Sequence, residues 1–158
     1  MSRVLFLVGM LLATRCFAIQ PGDKAPQFAL KGSKERVSLS ALTGKVVYVD
    51  FWASWCSPCR QSFPWMSEIQ KRYGPNGFKV VAINLDQASA DAEAFLAKTP
   101  AEFTTVFDPQ GDVPTLYGVE TMPSSFLLDR SGKVVATHKG FSESDKEGLE
   151  KQIEALLK

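Results

Sequence analysis

Two cysteines separated by two residues, Cys56 and Cys59, constrain this chain more than any other feature of its sequence. The segment before them, Lys45 to Trp52, is rich in β-branched and aromatic residues and predicts a buried strand. From Cys59 onward, apolar residues recur at helical spacing up to a Gly-Pro pair, which predicts a helix ending near Tyr73. The two thiols therefore lie where a strand leads into the N-terminus of a helix.

The C-x-x-C spacing is compatible with reversible disulfide chemistry, with half of a zinc site, or with a structural disulfide. A structural zinc site needs a second pair of Cys or His ligands. The chain offers only Cys16 and His138 besides the pair. A disulfide across two residues closes a very small loop and removes little entropy from the unfolded chain, so it stabilises a fold poorly. Redox chemistry is therefore the preferred interpretation, and we expect no metal and no cofactor.

The position of each thiol predicts its role in the exchange of disulfides. Free backbone N–H groups and the helix dipole stabilise an anion at a helix N-terminus, so Cys56 is the predicted nucleophile. Cys59 lies one turn inside the helix and is predicted to attack the mixed disulfide. Asp50 is a carboxylate in an otherwise apolar strand. Either it faces solvent at a strand edge, or it is buried with a raised pKa that serves catalysis.

The first 18 residues predict an export signal. Arg3 supplies a positive charge, Val4 to Ala13 is an apolar run, and Cys16 to Ala18 resembles a cleavage site. Cleavage after Ala18 would leave a domain of residues 19–158, soluble and periplasmic. The alternatives are a lipid tether on Cys16 and an uncleaved anchor, although the run is only about half of the ~20 residues that a membrane-spanning helix needs.

Length and charge limit the remaining classes of function. The chain has 158 residues, 45% hydrophobic and 22% charged, which fits one globular domain with its own core. Its net charge is +1, and loss of Arg3 and Arg15 with the leader makes it −1 (+1 minus 2). Because no basic surface is expected, nucleic acid is excluded as a partner. We expect a monomer.

The rest of the sequence alternates strand and helix patterns. It predicts a helix capped by Ser89, a final helix whose capping box is Ser144 and Glu147, and core positions for Phe51, Trp52 and Phe126. Such an order indicates a mixed sheet between helices. The predicted strands are Phe78 to Leu85, Thr104 to Phe107, and a hairpin of Ser124 to Leu128 with Val134 to His138; the predicted helices are Ser89 to Thr99, a short helix or turn at Asp112 to Gly118, and a helix after Ser144.

Three segments resemble known proteins. Val49 to Arg60, read V-D-F-W-A-S-W-C-S-P-C-R, resembles the active-site strand and helix of thioredoxins. Gly22 to Phe28 and Val37 to Leu42 resemble the N-terminal extension of exported thioredoxin-like proteins of the TlpA and ResA type. Met122 to Leu128 resembles the segment that carries the cis-proline of this family. The resemblance implies an α/β fold, a thioredoxin-like three-layer sandwich with a central mixed β-sheet flanked by helices and an N-terminal extension.

The resemblance also implies a function and a set of site residues. It implies an exported thiol-disulfide oxidoreductase that reduces protein disulfides and receives electrons from a membrane thiol donor. The resemblance further implies that Asp50 takes the proton of Cys59. Ala82 occupies the position where thioredoxin has a lysine near that acid. A cis Pro123 would let substrate pair with the backbone of Met122. Substrate contacts are expected at Trp55, Ser57, Pro58, Met122 and Pro123.

Departures from related families separate the alternatives. A redoxin-type peroxidase would have antioxidant activity, but the peroxiredoxin pattern has Thr at the position where this chain has Ala53. A non-enzymatic copper carrier would use both thiols and His138, yet the Sco type of carrier has C-x-x-x-C. Cytochrome c maturation members commonly have Glu where Ser62 stands, a residue predicted to be a surface hydroxyl. Pro64 predicts a kink within the active-site helix.

Overall fold

The computed structural model describes residues 19–158, so the predicted leader and Cys16 lie outside the described residues. Its strands are β1 (Ala29–Gly32), β2 (Arg36–Ser38), β3 (Val46–Trp52), β4 (Phe78–Asn84), β5 (Thr104–Phe107), β6 (Ser124–Leu128) and β7 (Val134–Lys139). Its helices are α1 (Ser57–Tyr73), α2 (Ser89–Lys98), α3 (Asp112–Tyr117) and α4 (Lys146–Leu157), with short 3-10 turns at Leu39–Leu42, Gly74–Asn76 and Glu143–Asp145.

All seven strands form one mixed sheet in the order β2-β1-β5-β4-β3-β6-β7. The three strands β5, β4 and β3 run parallel, and β6 and β7 complete one edge as an antiparallel hairpin. Every residue of β3 is buried, as expected of a strand covered on both faces. The carboxyl end of this central strand delivers the chain into α1, which places the dithiol at one end of the sheet.

The two faces of the sheet have separate cores. Helices α1, α2 and α4 pack on one face, which we call the helix face, against Val46, Tyr48 and Trp52 of β3. Helix α3 and the N-terminal segment pack on the opposite face against Val47, Val49 and Phe51. Alternate side chains of a strand point to opposite faces, so β3 contributes to both cores. The predicted three-layer fold is confirmed.

The N-terminal extension is fixed to the β6–β7 hairpin by backbone hydrogen bonds. Gly22 N–H donates to Val134 O at 2.8 Å, Val134 N–H donates to Asp23 O at 2.9 Å, and Ala25 N–H donates to Gly132 O at 3.0 Å. Ala25 and Phe28 are buried in the core opposite the helix face. The extension continues into β1 and β2, two short strands that the sequence patterns did not predict.

Both predicted caps are wrong. Residue Ala88 occupies the N-cap of α2, and Ser89 is already its first helical residue without a side-chain capping bond. The capping box before α4 is formed by Ser142 and Asp145, whose Oδ2 accepts from Ser142 N–H at 2.7 Å. A 3-10 turn precedes α4, so the first free N–H groups occur two residues earlier than Ser144.

Helix α1 begins at Ser57, directly after Cys56, which agrees with the prediction that Cys59 lies one turn inside the helix, and it includes Pro58 in its first turn. A proline fits there because the first N–H groups of a helix have no partner within it. Pro64 lies inside the helix, which continues to Tyr73, so this proline does not end it. The predicted kink stays a prediction. Between residues 19 and 158, no helix has the length and apolar character needed to cross a membrane.

Candidate active site

The dithiol lies at the N-terminus of α1. Cys56 is the N-cap residue, and its Sγ accepts a hydrogen bond from Cys59 N–H at 3.4 Å. The two cysteines form a disulfide with a Cα–Cα distance of 5.3 Å. Cys59 is fully enclosed, whereas Cys56 retains 5% of its surface. The pair is therefore asymmetric, with the N-cap residue Cys56 slightly exposed and Cys59 fully buried.

The loop between β3 and α1 is held by two polar residues at the carboxyl end of β4, Asn84 in the strand and Asp86 just after it. The Asp86 carboxylate accepts from Ser54 N–H at 3.0 Å and from the Ser54 hydroxyl at 3.1 Å. Asn84 in turn donates to Asp86 at 2.8 Å, and its own Oδ1 accepts from Asp86 N–H at 3.0 Å. Asp86 is 4% exposed, so this network is shielded from water. It determines where the chain enters the dithiol turn.

Asp50 lies in the middle of β3, paired with Ala82 of β4 on one side and Ser125 of β6 on the other. Its side chain is buried, and Oδ2 makes no hydrogen bond. Burial raises the pKa of Asp50 well above its ordinary value, because desolvation penalises the carboxylate. The alternative in which Asp50 faces solvent at a strand edge is therefore wrong. By the alternation of β3, Asp50 points to the helix face, on which α1 packs.

Ser62 is not a surface hydroxyl, contrary to prediction. It is 2% exposed, and its hydroxyl donates to Cys59 O at 2.8 Å. The helical spacing of the sequence already indicated that Ser62 is buried, because this residue falls between Cys59 and Met66 on the apolar stripe of α1. The residue is thus a buried neighbour of the second cysteine.

The residues predicted to contact substrate differ in how exposed they are. Trp55 is 69% exposed, which is large for an aromatic side chain, and Ser57 and Pro58 are also exposed. The Met122–Pro123 peptide bond is cis, as predicted. Pro123 is buried and its carbonyl accepts from Gly140 N–H at 2.8 Å, while Met122 is half-buried against the helix-face core.

The aromatic residues near the dithiol are core residues, as predicted. Trp52 and Phe51 are fully buried and Phe126 is 5% exposed. The Trp52 ring packs edge to face on Phe63 at a centroid distance of 4.7 Å. Its indole Nε1 is buried without a hydrogen-bond acceptor. The helix face of β3 therefore carries two buried polar atoms without a hydrogen-bond partner, Trp52 Nε1 and Asp50 Oδ2.

His138 lies in β7, paired with Ser125, and its Nε2 is 3.4 Å from Asp145 Oδ2. In residues 19–158 no group of three or more His, Cys, Asp and Glu side chains is arranged to hold a metal ion. Sequence reasoning missed Asn84 and Asp86, although polar residues at the carboxyl end of a parallel strand are a known signal of a site. It also missed the pairing of Ser125 with Asp50, for which the sequence offered no such signal.

The family model described as Redoxin matches residues 20–154. Among curated relatives, thiol-disulfide oxidoreductase ResA of Bacillus subtilis (strain 168) is 34% identical over 124 residues, which cover 78% of this chain and 69% of that protein. ResA of Bacillus thuringiensis subsp. konkukian is 33% identical over 138 residues, which cover 85% of this chain and 78% of that protein. These relatives are named for exchange between thiols and disulfides, which is the chemistry that the Cys56–Cys59 pair supports.

Solved structures agree with the fold. A candidate thiol:disulfide interchange protein DsbE from Chlorobium tepidum superposes with a TM-score of 0.88 at 60% identity, covering 89% of this chain and all of that one. The pneumococcal exposed lipoprotein thioredoxin Etrx1 from Streptococcus pneumoniae strain TIGR4 gives a TM-score of 0.74 at 33% identity, with 83% and 100% covered.

Proposed function

Because this chain belongs to the Redoxin family and is a thiol-disulfide oxidoreductase of the ResA type, we propose that it reduces disulfide bonds in exported proteins. The observation that carries the proposal is the asymmetric pair at the start of α1. Cys56 occupies the N-cap and keeps some exposure, while Cys59 is enclosed one turn inside. An anion at the N-cap is stabilised by the free N–H groups and the helix dipole.

In the proposed cycle, the Cys56 thiolate attacks one sulfur of a substrate disulfide, and the other substrate sulfur leaves as a thiolate. Cys59 then gives its proton to the Asp50 carboxylate, and the Cys59 thiolate attacks Cys56 Sγ in the mixed disulfide. The first substrate sulfur leaves with its electron pair, and the Cys56–Cys59 disulfide forms. The substrate gains two electrons, and the dithiol loses two.

Substrate binding is proposed for the exposed surface around Cys56. The exposed Trp55 ring offers a flat apolar contact, and Ser57 and Pro58, which follow Cys56 in the chain, are also exposed. The half-buried Met122, beside cis-Pro123, is proposed to pair its backbone with an extended substrate segment. Selectivity would then depend on shape and main-chain contacts more than on charge.

Repeated turnover requires that the disulfide be reduced again by a thiol donor, for which we propose a membrane thiol protein. Pro58 before the second cysteine favours a potential nearer the reducing end of the family, about −270 mV, than the oxidising end at about −120 mV. A redox titration of the pair checks this direction. A potential near the oxidising end would make the protein an oxidant of its clients and would contradict the reductase proposal.

Export is proposed from the first 18 residues, with the domain at 19–158 released by cleavage after Ala18. A lipid on Cys16 is the alternative, and the structural relative Etrx1 is itself an exposed lipoprotein. Mass spectrometry of the mature protein separates the two, because cleavage after Ala18 removes Cys16 entirely.

Two other functions remain to be compared by experiment. Peroxide reduction is suggested by the Redoxin match, but Ala53, where the peroxiredoxin pattern has Thr, is a buried apolar residue. Copper carriage would need further ligands near the pair. One sample should be assayed for reduction of insulin disulfides, consumption of hydrogen peroxide and copper retained after dialysis. We expect only the first activity, lost in Cys56→Ser; peroxide turnover or retained copper without insulin reduction would contradict the proposal.

A further inference from the structure

The turn that carries Cys56 is held by a buried acid from another strand. Cys56 N–H donates to Ala53 O at 3.1 Å, which closes the turn. Ser54, the second residue of this turn, donates to the Asp86 carboxylate through both its N–H and its hydroxyl. Trp55, the third residue, is 69% exposed. Asp86 therefore fixes the part of the turn that directly precedes the exposed indole and the reactive sulfur.

Asp86 carries a negative charge that no cation pairs with. Its carboxylate accepts from Ser54 N–H, from the Ser54 hydroxyl and from the Asn84 amide. All three donors are neutral, and in residues 19–158 no Lys, Arg or His forms a salt bridge with Asp86. Hydrogen bonds from neutral donors stabilise a carboxylate and leave its net charge in place. The charge of Asp86 can therefore act on groups nearby.

Cys56 lies close enough to feel this charge. The Asp86 carboxylate is 3.0 Å from Ser54 N, and Cys56 follows Ser54 by two residues. Two peptide units span at most about 7.6 Å between Cα atoms, so the carboxylate and Cys56 are separated by on the order of 10 Å. Repulsion at that distance lowers a thiolate population about twofold in bulk water and about 15-fold at an effective dielectric constant of ~20. Asp86 is 4% exposed, which places the expected effect between these values.

Other charged and ionisable groups lie on the segments around Cys56, and the start of α1 itself favours a thiolate there. Of these groups, Asp86 is the one whose carboxylate is hydrogen-bonded to the turn. The others are Asp50 of β3, whose pKa is raised by burial, Cys59 and Arg60 of α1, and Glu120 and Lys139, which pair with each other near the cis-proline.

Taking Cys56 as the attacking thiol of the proposed function, on which this role rests, we propose that Asp86 opposes ionisation of Cys56 and so makes the dithiol a stronger reductant. A thiolate stabilised at a helix N-terminus stabilises the reduced state, and a pair whose reduced state is strongly stabilised is an oxidant. The Asp86 charge offsets part of that stabilisation. Because Asp86 does not touch the reacting sulfurs, it is a positioning residue of the turn and not a catalytic residue.

The ionisation of Cys56 is measured by its rate of alkylation with iodoacetamide as a function of pH. The full chain carrying Cys59→Ser is used, and mass spectrometry of the Cys56 peptide ensures that no other thiol contributes. Asp86→Asn and Asp86→Thr remove the charge, whereas Asp86→Glu keeps it. The matched control is Asp108→Asn, because Asp108 is also 4% exposed but its carboxylate is bonded to α3, through Val113 N–H at 2.8 Å.

We expect both neutral variants of Asp86 to move the pH midpoint of alkylation downward, so that the thiolate fraction below the midpoint rises by about threefold to tenfold. With both cysteines present and Cys56 ionised, the equilibrium with glutathione should shift toward the dithiol by a similar factor. Asp86→Glu and Asp108→Asn should stay within about twofold of the wild type, because the first keeps the charge and the second removes a more distant one.

Three results would overturn this role of Asp86. The first is an unchanged midpoint in Asp86→Asn and Asp86→Thr. The second is an equal shift in Asp108→Asn, since any buried carboxylate at this end of the sheet would then have the same effect. The third is a shift in Asp86→Glu as large as that in Asp86→Asn, which would mean that the packing of the turn and not the charge determines the ionisation of Cys56.

Failure of the proposed function is detected separately, by the insulin assay on the wild type. Alkylation needs no disulfide substrate, so the pH midpoints report on Asp86 whether or not insulin is reduced. If insulin is not reduced while the neutral variants shift the midpoint, the proposed function fails and the effect of Asp86 on ionisation stands. If insulin is reduced and the midpoints coincide, only the role of Asp86 is overturned.

Discussion

The two faces of β3 differ although they belong to one strand. The face toward α3 consists of Val47, Val49 and Phe51, an apolar surface with no polar side-chain atom. The helix face carries Tyr48 and Asp50, with a hydroxyl bonded to Ser125 and a carboxyl oxygen that has no partner. Both faces are equally buried. The difference in polarity is therefore unrelated to exposure.

A buried polar group without a partner costs about 1–3 kcal/mol. The apolar face shows that β3 can be built without that cost. We interpret the polar groups of the helix face as serving the dithiol, because α1, which carries Cys56 and Cys59, packs there. The apolar face should then control stability, and the polar face should control the chemistry.

The largest effect should come from the apolar face. Phe51 is fully buried and contacts the rings of Tyr117 and Phe126 at centroid distances of 5.4 and 5.9 Å. Phe51→Ala should lower the free energy of unfolding by about 3–5 kcal/mol, through lost burial and a cavity. Chemical denaturation measures this loss. The rate of insulin reduction per folded molecule should stay at the wild-type level, with Phe51→Leu as a milder control; a lower rate per folded molecule would mean that both faces serve the chemistry.

The next largest effect is expected for Asp50, in the rate at which Cys59 resolves a mixed disulfide. Asp50→Asn removes the proton acceptor for Cys59, so resolution of a mixed disulfide should slow by about 100-fold, equivalent to about 2.7 kcal/mol in the barrier. Stopped-flow measurement of product release in single turnover gives this rate. The fold should be retained, because Asn is nearly isosteric with Asp.

Asp50 should also give the wild type a pH-dependent stability. Burial raises the pKa of Asp50, so the folded state holds this proton at pH values where the unfolded chain has lost it. Stability should fall as pH rises from the unfolded pKa to the folded pKa, by at most about 1.4 kcal/mol per pH unit. Asp50→Asn should lack this component. Parallel stability curves for the two proteins would show that burial does not perturb Asp50.

A smaller effect is expected from adding a polar group to the apolar face. Val49 is fully buried opposite the helix face, and Val49→Thr keeps the shape while introducing a hydroxyl. Unfolding free energy should fall by about 1–3 kcal/mol, because the hydroxyl is desolvated among apolar side chains. Val49→Ala is the control for a simple change of volume. If Val49→Thr left the free energy of unfolding unchanged, the apolar face would tolerate a buried hydroxyl, and the difference in polarity between the two faces would not contribute to stability.

The smallest effect should be that of Ser62. Its hydroxyl bond to Cys59 O should contribute about 0.5–1.5 kcal/mol, and Ser62→Ala should lower stability by that amount. The matched control in the same helix is Ser67→Ala, where the hydroxyl is half-buried and accepts one long bond from Glu102 N–H. Equal losses of unfolding free energy in the two variants would show that burial beside Cys59 does not strengthen the contribution of the Ser62 hydroxyl to stability.

Sequence patterns located the site because its signals are local. The β-branched run before Trp55 predicted β3 to within one residue, and Cys56 at the strand-to-helix junction follows from that run and the helical spacing after it. The resemblance to thioredoxins predicted the cis bond before Pro123. In each case the neighbouring residues determine the local conformation.

What sequence reasoning missed depends on contacts between distant segments. Ser125 lies opposite Asp50 only because β6 pairs with β3 in this register, which no local pattern encodes. Asp86 acts on Ser54 across 32 residues. The cap before α4 was misplaced for a different reason, since Ser142 and Ser144 are both good capping residues and the 3-10 turn selects the first.

The role of Cys56 as the nucleophile is tested most directly by trapping the covalent intermediate. Cys59→Ser and Cys56→Ser are each incubated in reduced form with a protein disulfide substrate, and the products are examined by mass spectrometry under non-reducing conditions. We predict that Cys59→Ser accumulates a mixed disulfide through Cys56, while Cys56→Ser forms little or none. Accumulation through Cys59 in Cys56→Ser, with none in Cys59→Ser, would contradict the assignment of the N-cap sulfur as the nucleophile.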